Sequence, residues 1–177
     1  MINWARMLLR QHGRLLSLLM ALGAAGLVLV AVVLTQLLSL DPCHLCIFQR
    51  VIHFAIAFAL LAAFWGWQRL TVRSGALILG AIFSLGGMAV AGQQSWLQWY
   101  PEVSLSCSSG APGIVEQWVQ WLGQQSPTLF LATGFCENKE LVILGLSLAN
   151  WSFFAYAALL AGSAALFLST WNERKSS

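Results

Sequence analysis

Charged positions divide the chain into long silent stretches and short polar breaks. Residues from Leu15 to Leu40, Val51 to Gln68, Ser74 to Pro101 and Leu141 to Asn172 contain no Asp, Glu, Lys or Arg. Each stretch is long enough for the ~20 residues that cross a hydrocarbon layer of ~30 Å. Every backbone N–H and C=O in hydrocarbon needs a partner within the protein, so such spans are helices or strands of a closed barrel. Barrel strands alternate apolar and polar positions over short segments, and no such alternation is present. The pattern predicts an all-α membrane protein, a four-transmembrane-helix bundle in a single membrane domain over residues 1–177, with no linker or repeat. The helices are expected at about 15–38, 48–66, 74–96 and 141–170, with loops at about 39–47 and 97–140 between the first and last pairs.

The second of these loops is long enough to carry structure of its own. After the Pro112-Gly113 break, Ile114, Val115, Trp118, Trp121 and Leu122 recur at helical spacing, with Glu116, Gln117 and Gln120 between them. A short amphipathic helix lying on the membrane surface is predicted there.

Composition agrees: 59% of the 177 residues are hydrophobic, 8% are charged and the mean hydropathy is +0.75, whereas soluble domains carry roughly 25% charge. The first run follows Arg6, Arg10 and Arg14 in the manner of a secretory signal. It exceeds the roughly 7 to 15 apolar residues of a signal and shows no convincing small-residue cleavage site before Asp41, so an uncleaved helix is expected. Basic residues flanking spans favour the cytoplasmic side. Arg6, Arg10, Arg14, Arg69, Arg73, Arg174 and Lys175 fall on one side, and Arg50 and Lys139 on the other. Both termini are predicted to be cytoplasmic, with the 39–50 and 99–140 segments facing outward. The net charge of +3 follows from this topology, and no basic patch with interleaved aromatics points to nucleic acid. Trp65, Trp67, Trp96, Trp99, Tyr100, Trp151 and Trp171 lie near span ends, as an aromatic belt does.

All four cysteines fall in the outward loops: Cys43 and Cys46 in the first, Cys107 and Cys136 in the second. Extracytoplasmic spaces are oxidising, which favours disulfides or redox centres. Four cysteines allow three pairings. Cys43 with Cys46 and Cys107 with Cys136 is the ready resting choice, because a two-residue spacer easily meets the short Cα separation of a disulfide. Closing so small a loop removes little chain entropy, so stapling is a poor use of it. Pro42 suits a helix start, which places Cys43 and Cys46 at or just before the beginning of the second helix, where the dipole and unpaired N–H groups favour thiolates.

Arg50 lies one turn beyond Cys46 on the same face. It is either a snorkelling charge or support for a Cys46 thiolate or bound anionic species, and its place on the outward side favours the second. His53 continues the stripe, with an interhelical hydrogen bond and a catalytic role both open. Polar groups within spans call for a hypothesis. Gln94 and Gln98, one turn apart near the outer end of the third span, are either an interfacial cap or donors to a lipid-soluble cofactor's carbonyl.

The run Pro42-Cys43-His44-Leu45-Cys46-Ile47-Phe48-Gln49-Arg50 resembles the first periplasmic loop of the disulfide bond formation protein B (DsbB) family of bacterial quinone reductases. Leu97-Gln98-Trp99-Tyr100-Pro101 ahead of Cys107, Phe130-Leu131-Ala132-Thr133-Gly134-Phe135-Cys136, and Leu144-Gly145-Leu146-Ser147 are similar to further stretches of that family, in the same order. The resemblance implies a multi-pass protein of the bacterial inner membrane that sustains protein disulfide bond formation. A periplasmic thioredoxin-like oxidase, DsbA-like, would deliver two electrons to the Cys107–Cys136 disulfide through a mixed disulfide with Cys107. Cys43 and Cys46 would receive them next and pass them to ubiquinone or menaquinone, with Cys46 beside the quinone, Arg50 supporting it, and Gln98, Gln94 and His53 as candidate contacts. No metal is implied. Some family members have histidine at the place of Gln94, so proton delivery here would follow another route or come from water. His44, inside the pair, is either a tuner of the thiols or an exposed loop residue.

Rival readings fit less well. In vitamin K epoxide reductase-like enzymes, also four-helix thiol-quinone proteins, the Cys-X-X-Cys pair follows the loop cysteines, whereas here it precedes them. A disulfide-stapled or metal-binding membrane scaffold is the alternative outside enzymology, but zinc sites made of four cysteines usually present two close pairs. Ile47 after the pair departs from the haem-attachment pattern. The spans lack acidic residues, which leaves an ion pathway little to work with.

Overall fold

The computed structural model describes residues 2–100, 113–136, 138 and 141–176. In chain order its elements are α1 (Ile2–Leu37), α2 (His44–Trp65), α3 (Leu70–Trp99), the short α4 (Ile114–Gln125) and α5 (Pro127–Phe130), strands β1 (Val142–Ile143) and β2 (Leu146–Ser147), and α6 (Leu148–Ser176). Among the described residues, four helices (α1, α2, α3 and α6) are long and apolar enough to cross a membrane. Their surfaces bear this out: Leu19, Leu22, Leu29, Phe58, Leu79, Ile82 and Phe154 are exposed. Exposed apolar side chains in such numbers suit contact with lipid and would be an aggregation hazard in water. Trp65, Trp96, Trp99, Trp151 and Trp171 are exposed as well, as rings at the headgroup level are.

Two compact units are distinguishable, and each long helix contributes residues to both. The first comprises Met1–Leu27, Ile52–Gly86 and Tyr156–Ser177. Lipid tails are as apolar as leucine, so helices there associate through close packing and hydrogen bonds between them. Ala21, Ala24, Ala63 and Ser163 are buried small residues of this kind. A Cβ on Gly80 would already touch Ser163 Oγ at 3.5 Å, and one on Gly162 would strike Met20 Cε at 2.6 Å. Buried Ser17 Oγ donates to the Leu60 carbonyl at 2.7 Å. Buried Tyr156 lies with its hydroxyl 2.8 Å from His53 Nδ1, tying α6 to α2. The same unit holds Arg14 with its guanidinium 4.6 Å from the Phe64 ring and Arg73 at 4.8 Å from Trp67, both cation–π contacts.

The second unit comprises Val28–Val51 and Gly87–Ala155. Here α1 ends as Leu38 and Leu40 donate their N–H groups to Leu34 and Thr35 carbonyls and Ser39 takes a left-handed φ of 49°. Pro42 has no N–H to continue a helix, and α2 starts immediately after Cys43. The predicted surface helix is present as α4, with Ile114, Trp118 and Trp121 exposed and Val119 and Gly123 buried. Gly123 permits the return of α5: a Cβ there would meet the Phe130 carbonyl oxygen at 3.0 Å. Ahead of α6, β1 and β2 pair antiparallel with Val142 opposite Ser147 and Ile143 opposite Leu146. Leu144 and Gly145, at φ 54° and 80°, form the tight turn, both with the positive φ that a type I′ hairpin turn requires.

Candidate thiol-disulfide site

Cys43 closes the loop before α2 and acts as its cap. Its carbonyl accepts from Ile47 N–H at 3.1 Å, and its sulfur accepts from Cys46 N–H at 3.4 Å. One helical turn brings the sulfurs of Cys43 and Cys46 to 3.2 Å, as free thiols. From α3, Gln94 directs its side-chain amide at them, with Nε2 2.9 Å from Cys46 Sγ and 3.5 Å from Cys43 Sγ. Its orientation is set by Gln49 on α2, whose Nε2 donates to Gln94 Oε1 at 2.7 Å. With the oxygen so engaged, the amide N–H groups of Gln94 are left for sulfur.

Cys136 arrives from the other loop. It is buried in one cluster with Cys43 and Leu45, against which Cys46, Val90 and Leu97 pack. Its sulfur lies 3.8 Å from each ring nitrogen of His44. The hydrogen bond between Cys43 and Cys136, with burial, pushes the Cys43 thiol up from its ordinary 9.0 to about 12, against a lowering by Cys46. For Cys43 the expected thiolate-favouring effect of the helix start is therefore outweighed in the dithiol state. A thiol whose S–H is engaged by a neighbouring sulfur holds its proton, and burial disfavours the anion.

Arg50 is buried and fully engaged in holding segments together. Its Nη1 donates to the Leu129 carbonyl of α5 at 2.9 Å, and its Nη2 to Thr35 Oγ1 at 2.6 Å and the Ala31 carbonyl at 3.4 Å on α1. A planar fork suits three acceptors arriving from two elements. Gln98 is buried and donates to the Asn138 carbonyl at 3.4 Å. Of the residues singled out from sequence, Cys43, Cys46, Cys136, Gln94, Gln98 and Arg50 all belong to the second unit. His53 belongs to the first, where it meets Tyr156. Cys107 lies outside the described residues.

Gln49 and Thr35 were not singled out from sequence. Gln49 sits within the Cys-X-X-Cys motif region, three residues after Cys46, and reads there as ordinary polar flanking. Thr35 is one of four polar residues, with Ser17, Gln36 and Ser39, in a mainly apolar run, and such a residue can signal an interhelical bond.

This arrangement can shuttle electrons by thiol-disulfide exchange, since a third cysteine abuts a vicinal pair and a fixed amide donor faces the pair's sulfurs. Comparison with known proteins gives the same direction. The family model for disulfide bond formation protein DsbB matches residues 13–166. The chain is 40% identical over 152 residues to disulfide bond formation protein B of Dechloromonas aromatica (strain RCB), covering 84% of this chain and 88% of that protein. It is 37% identical over 154 residues to the protein of that name from Nitrosomonas europaea, covering 84% and 91%, and 37% identical over 148 residues to that from Polaromonas naphthalenivorans (strain CJ2), covering 82% and 86%. With its four apolar helices and its gathered cysteines, the chain belongs to the DsbB family of disulfide bond formation proteins.

Proposed function

We propose that the chain is a protein-disulfide:quinone oxidoreductase of the bacterial inner membrane, with both termini cytoplasmic and both cysteine loops periplasmic. It reoxidises a DsbA-like dithiol oxidase. The observation that carries this reading is the burial of Cys136 beside Cys43, at the mouth of the Cys43/Cys46 pair.

The exchange steps balance. A thiolate of the partner attacks Cys107 in the Cys107–Cys136 disulfide, and Cys136 leaves as a thiolate. The partner's second thiolate resolves the mixed disulfide, which releases oxidised partner and a Cys107 thiolate. Cys136 then attacks Cys43 in the Cys43–Cys46 disulfide, and Cys46 leaves. Attack by Cys107 on Cys136 restores the loop disulfide and returns Cys43 as a thiol after uptake of a proton. The net result is two electrons moved from partner to Cys43/Cys46. The Gln94 amide stabilises the sulfur that leaves, because a hydrogen bond to an anionic acceptor is roughly twice as strong as a neutral one.

The surroundings of Cys46 fit a quinone. The thiol is half-buried at the start of an apolar helix, with the Gln94 amide in direct contact and the Arg50 charge one turn along the chain, its Nη groups held by Leu129, Thr35 and Ala31. Cys46 and Gln94 would hold the ring, with the charge of Arg50 as electrostatic support one turn away and Gln98 at the same end of α3. Bound there, ubiquinone or menaquinone would supply a two-electron, two-proton acceptor for the Cys43/Cys46 dithiol.

Anaerobic mixing of the purified protein with a reduced DsbA-like protein and a soluble ubiquinone or menaquinone analogue tests this. Stoichiometric loss of quinone absorbance is expected, abolished by Cys46→Ser and by Cys107→Ser. No reduction of either analogue with intact disulfides would overturn the reading.

A further inference from the structure

Cys136 and Cys43 are 93 residues apart in sequence, and something must hold their loops in register for one sulfur to reach the other. The contacts that do so are concentrated at Thr133-Gly134. Both backbone N–H groups donate to the same acceptor, the Pro42 carbonyl, at 3.0 Å from Thr133 and 3.2 Å from Gly134. The Thr133 hydroxyl donates to Asp41 Oδ1 at 2.8 Å. Gly134 lies so close to Asp41 that a Cβ would collide with the Asp41 carbonyl oxygen and come within 2.7 Å of its carbonyl carbon. These are backbone atoms, which do not rotate aside as a flexible side chain does. The φ of Gly134 is not in the left-handed region, so close approach alone calls for glycine here.

The lever arms from this junction to the sulfurs are short. Pro42 immediately precedes Cys43, and Gly134 is separated from Cys136 only by Phe135. We propose that Asp41-Pro42 and Thr133-Gly134 form a docking latch that positions Cys136 for exchange with Cys43, making Gly134 and Thr133 positioning residues. The proposal deepens the relay described above and rests on it for its biological purpose. Its physical content is the effective concentration of one thiol at the other, which a two-point backbone anchor raises by restricting the loop before reaction.

The test uses the full-length protein in detergent, with Cys46→Ser and Cys107→Ser so that Cys43 and Cys136 remain. Equilibration with glutathione oxidises the pair: two thiols and one oxidised glutathione give the Cys43–Cys136 disulfide and two reduced glutathiones. The oxidised fraction, read by thiol alkylation and mass spectrometry, gives the effective concentration. Gly134→Ala is expected to lower it tenfold or more, about 30 mV for a two-electron couple. The Cys43–Cys46 couple, measured with Cys107→Ser and Cys136→Ser, is expected to move less than threefold. A fall below threefold in the first couple, or an equal fall in both, overturns the latch. If Gly134→Ala does not accumulate, Thr133→Val is expected to lower the Cys43–Cys136 value threefold or more while Thr133→Ser stays near the parent, and equal values for the two overturn it. Neither titration contains quinone, so a failed latch and a failed quinone reaction are read separately.

Discussion

Replacing Gln94 by Leu removes the donor facing Cys46 while keeping most of the side-chain volume. A neutral thiol is a weak acceptor and a thiolate a strong one, so the bond over 2.9 Å from Gln94 Nε2 to Cys46 Sγ strengthens as charge develops on sulfur. Interactions that strengthen in the transition state set the rate. A hydrogen bond to a charged group is worth about 1.5–3 kcal/mol, which at 1.36 kcal/mol per factor of ten makes Gln94→Leu about 13- to 160-fold slower. Gln49→Leu acts at one remove. It frees the Gln94 amide to rotate and replaces the 2.7 Å bond with an unengaged acceptor, so a loss of about 2- to 13-fold follows from the 0.5–1.5 kcal/mol of a neutral bond. Because the Gln49 amide orients Gln94, the double variant should lose less than the two single losses combined, a departure from additivity. Anaerobic rapid mixing of the oxidised protein with the reduced partner, acid-quenched and read by alkylation of Cys46, measures all three. A Gln94→Leu rate within twofold of the parent refutes the reasoning, as do additive losses in the double variant.

Three other outcomes follow from the geometry. The Cys43 thiol, hydrogen-bonded to Cys136, buried and pushed up to about 12 from 9.0, holds its proton. The stabilisation of the folded dithiol is complete below pH 9 and is lost as pH rises towards 12. Iodoacetamide should alkylate Cys43 about 1000-fold more slowly at pH 8 than an ordinary thiol, and Cys136→Ala should raise that rate at least tenfold; a Cys43 titration midpoint between 8 and 9 in the reduced protein would contradict this. Arg50→Lys loses the fork that bridges Thr35, Ala31 and Leu129. It should destabilise by about 2–4 kcal/mol and speed proteolysis at 126–131, both measurable in detergent, and unaltered proteolysis would mean that α5 does not depend on the guanidinium. Tyr156→Phe removes only the hydroxyl facing His53 and should cost about 0.6–1.7 kcal/mol in a denaturant titration, the range for hydrogen bonds between membrane helices; a larger loss would indicate a wider network.

The spans were legible because charge is excluded from hydrocarbon over ~20 residues at a time, a signal that survives without any tertiary information. Of the site, sequence exposes what is chemically unusual: two cysteines at a helix start, an arginine on the side where basic residues are scarce, glutamines within a span. It does not expose what joins them. The anchor of Cys136 to Cys43 is made by backbone N–H groups of Thr133 and Gly134 on the Pro42 carbonyl, and backbone groups carry no residue signature. Only Gly134 leaves a trace, and a glycine in a loop has many commoner explanations than a close approach. Arg50 shows the same limit from the other side. Its anomalous charge marked it as functional, yet its acceptors are two carbonyls and one hydroxyl, none of them a charge that pairing rules would have matched. Residue chemistry thus singled out the candidate reacting groups in this chain, and the shape of the backbone decides which of them meet.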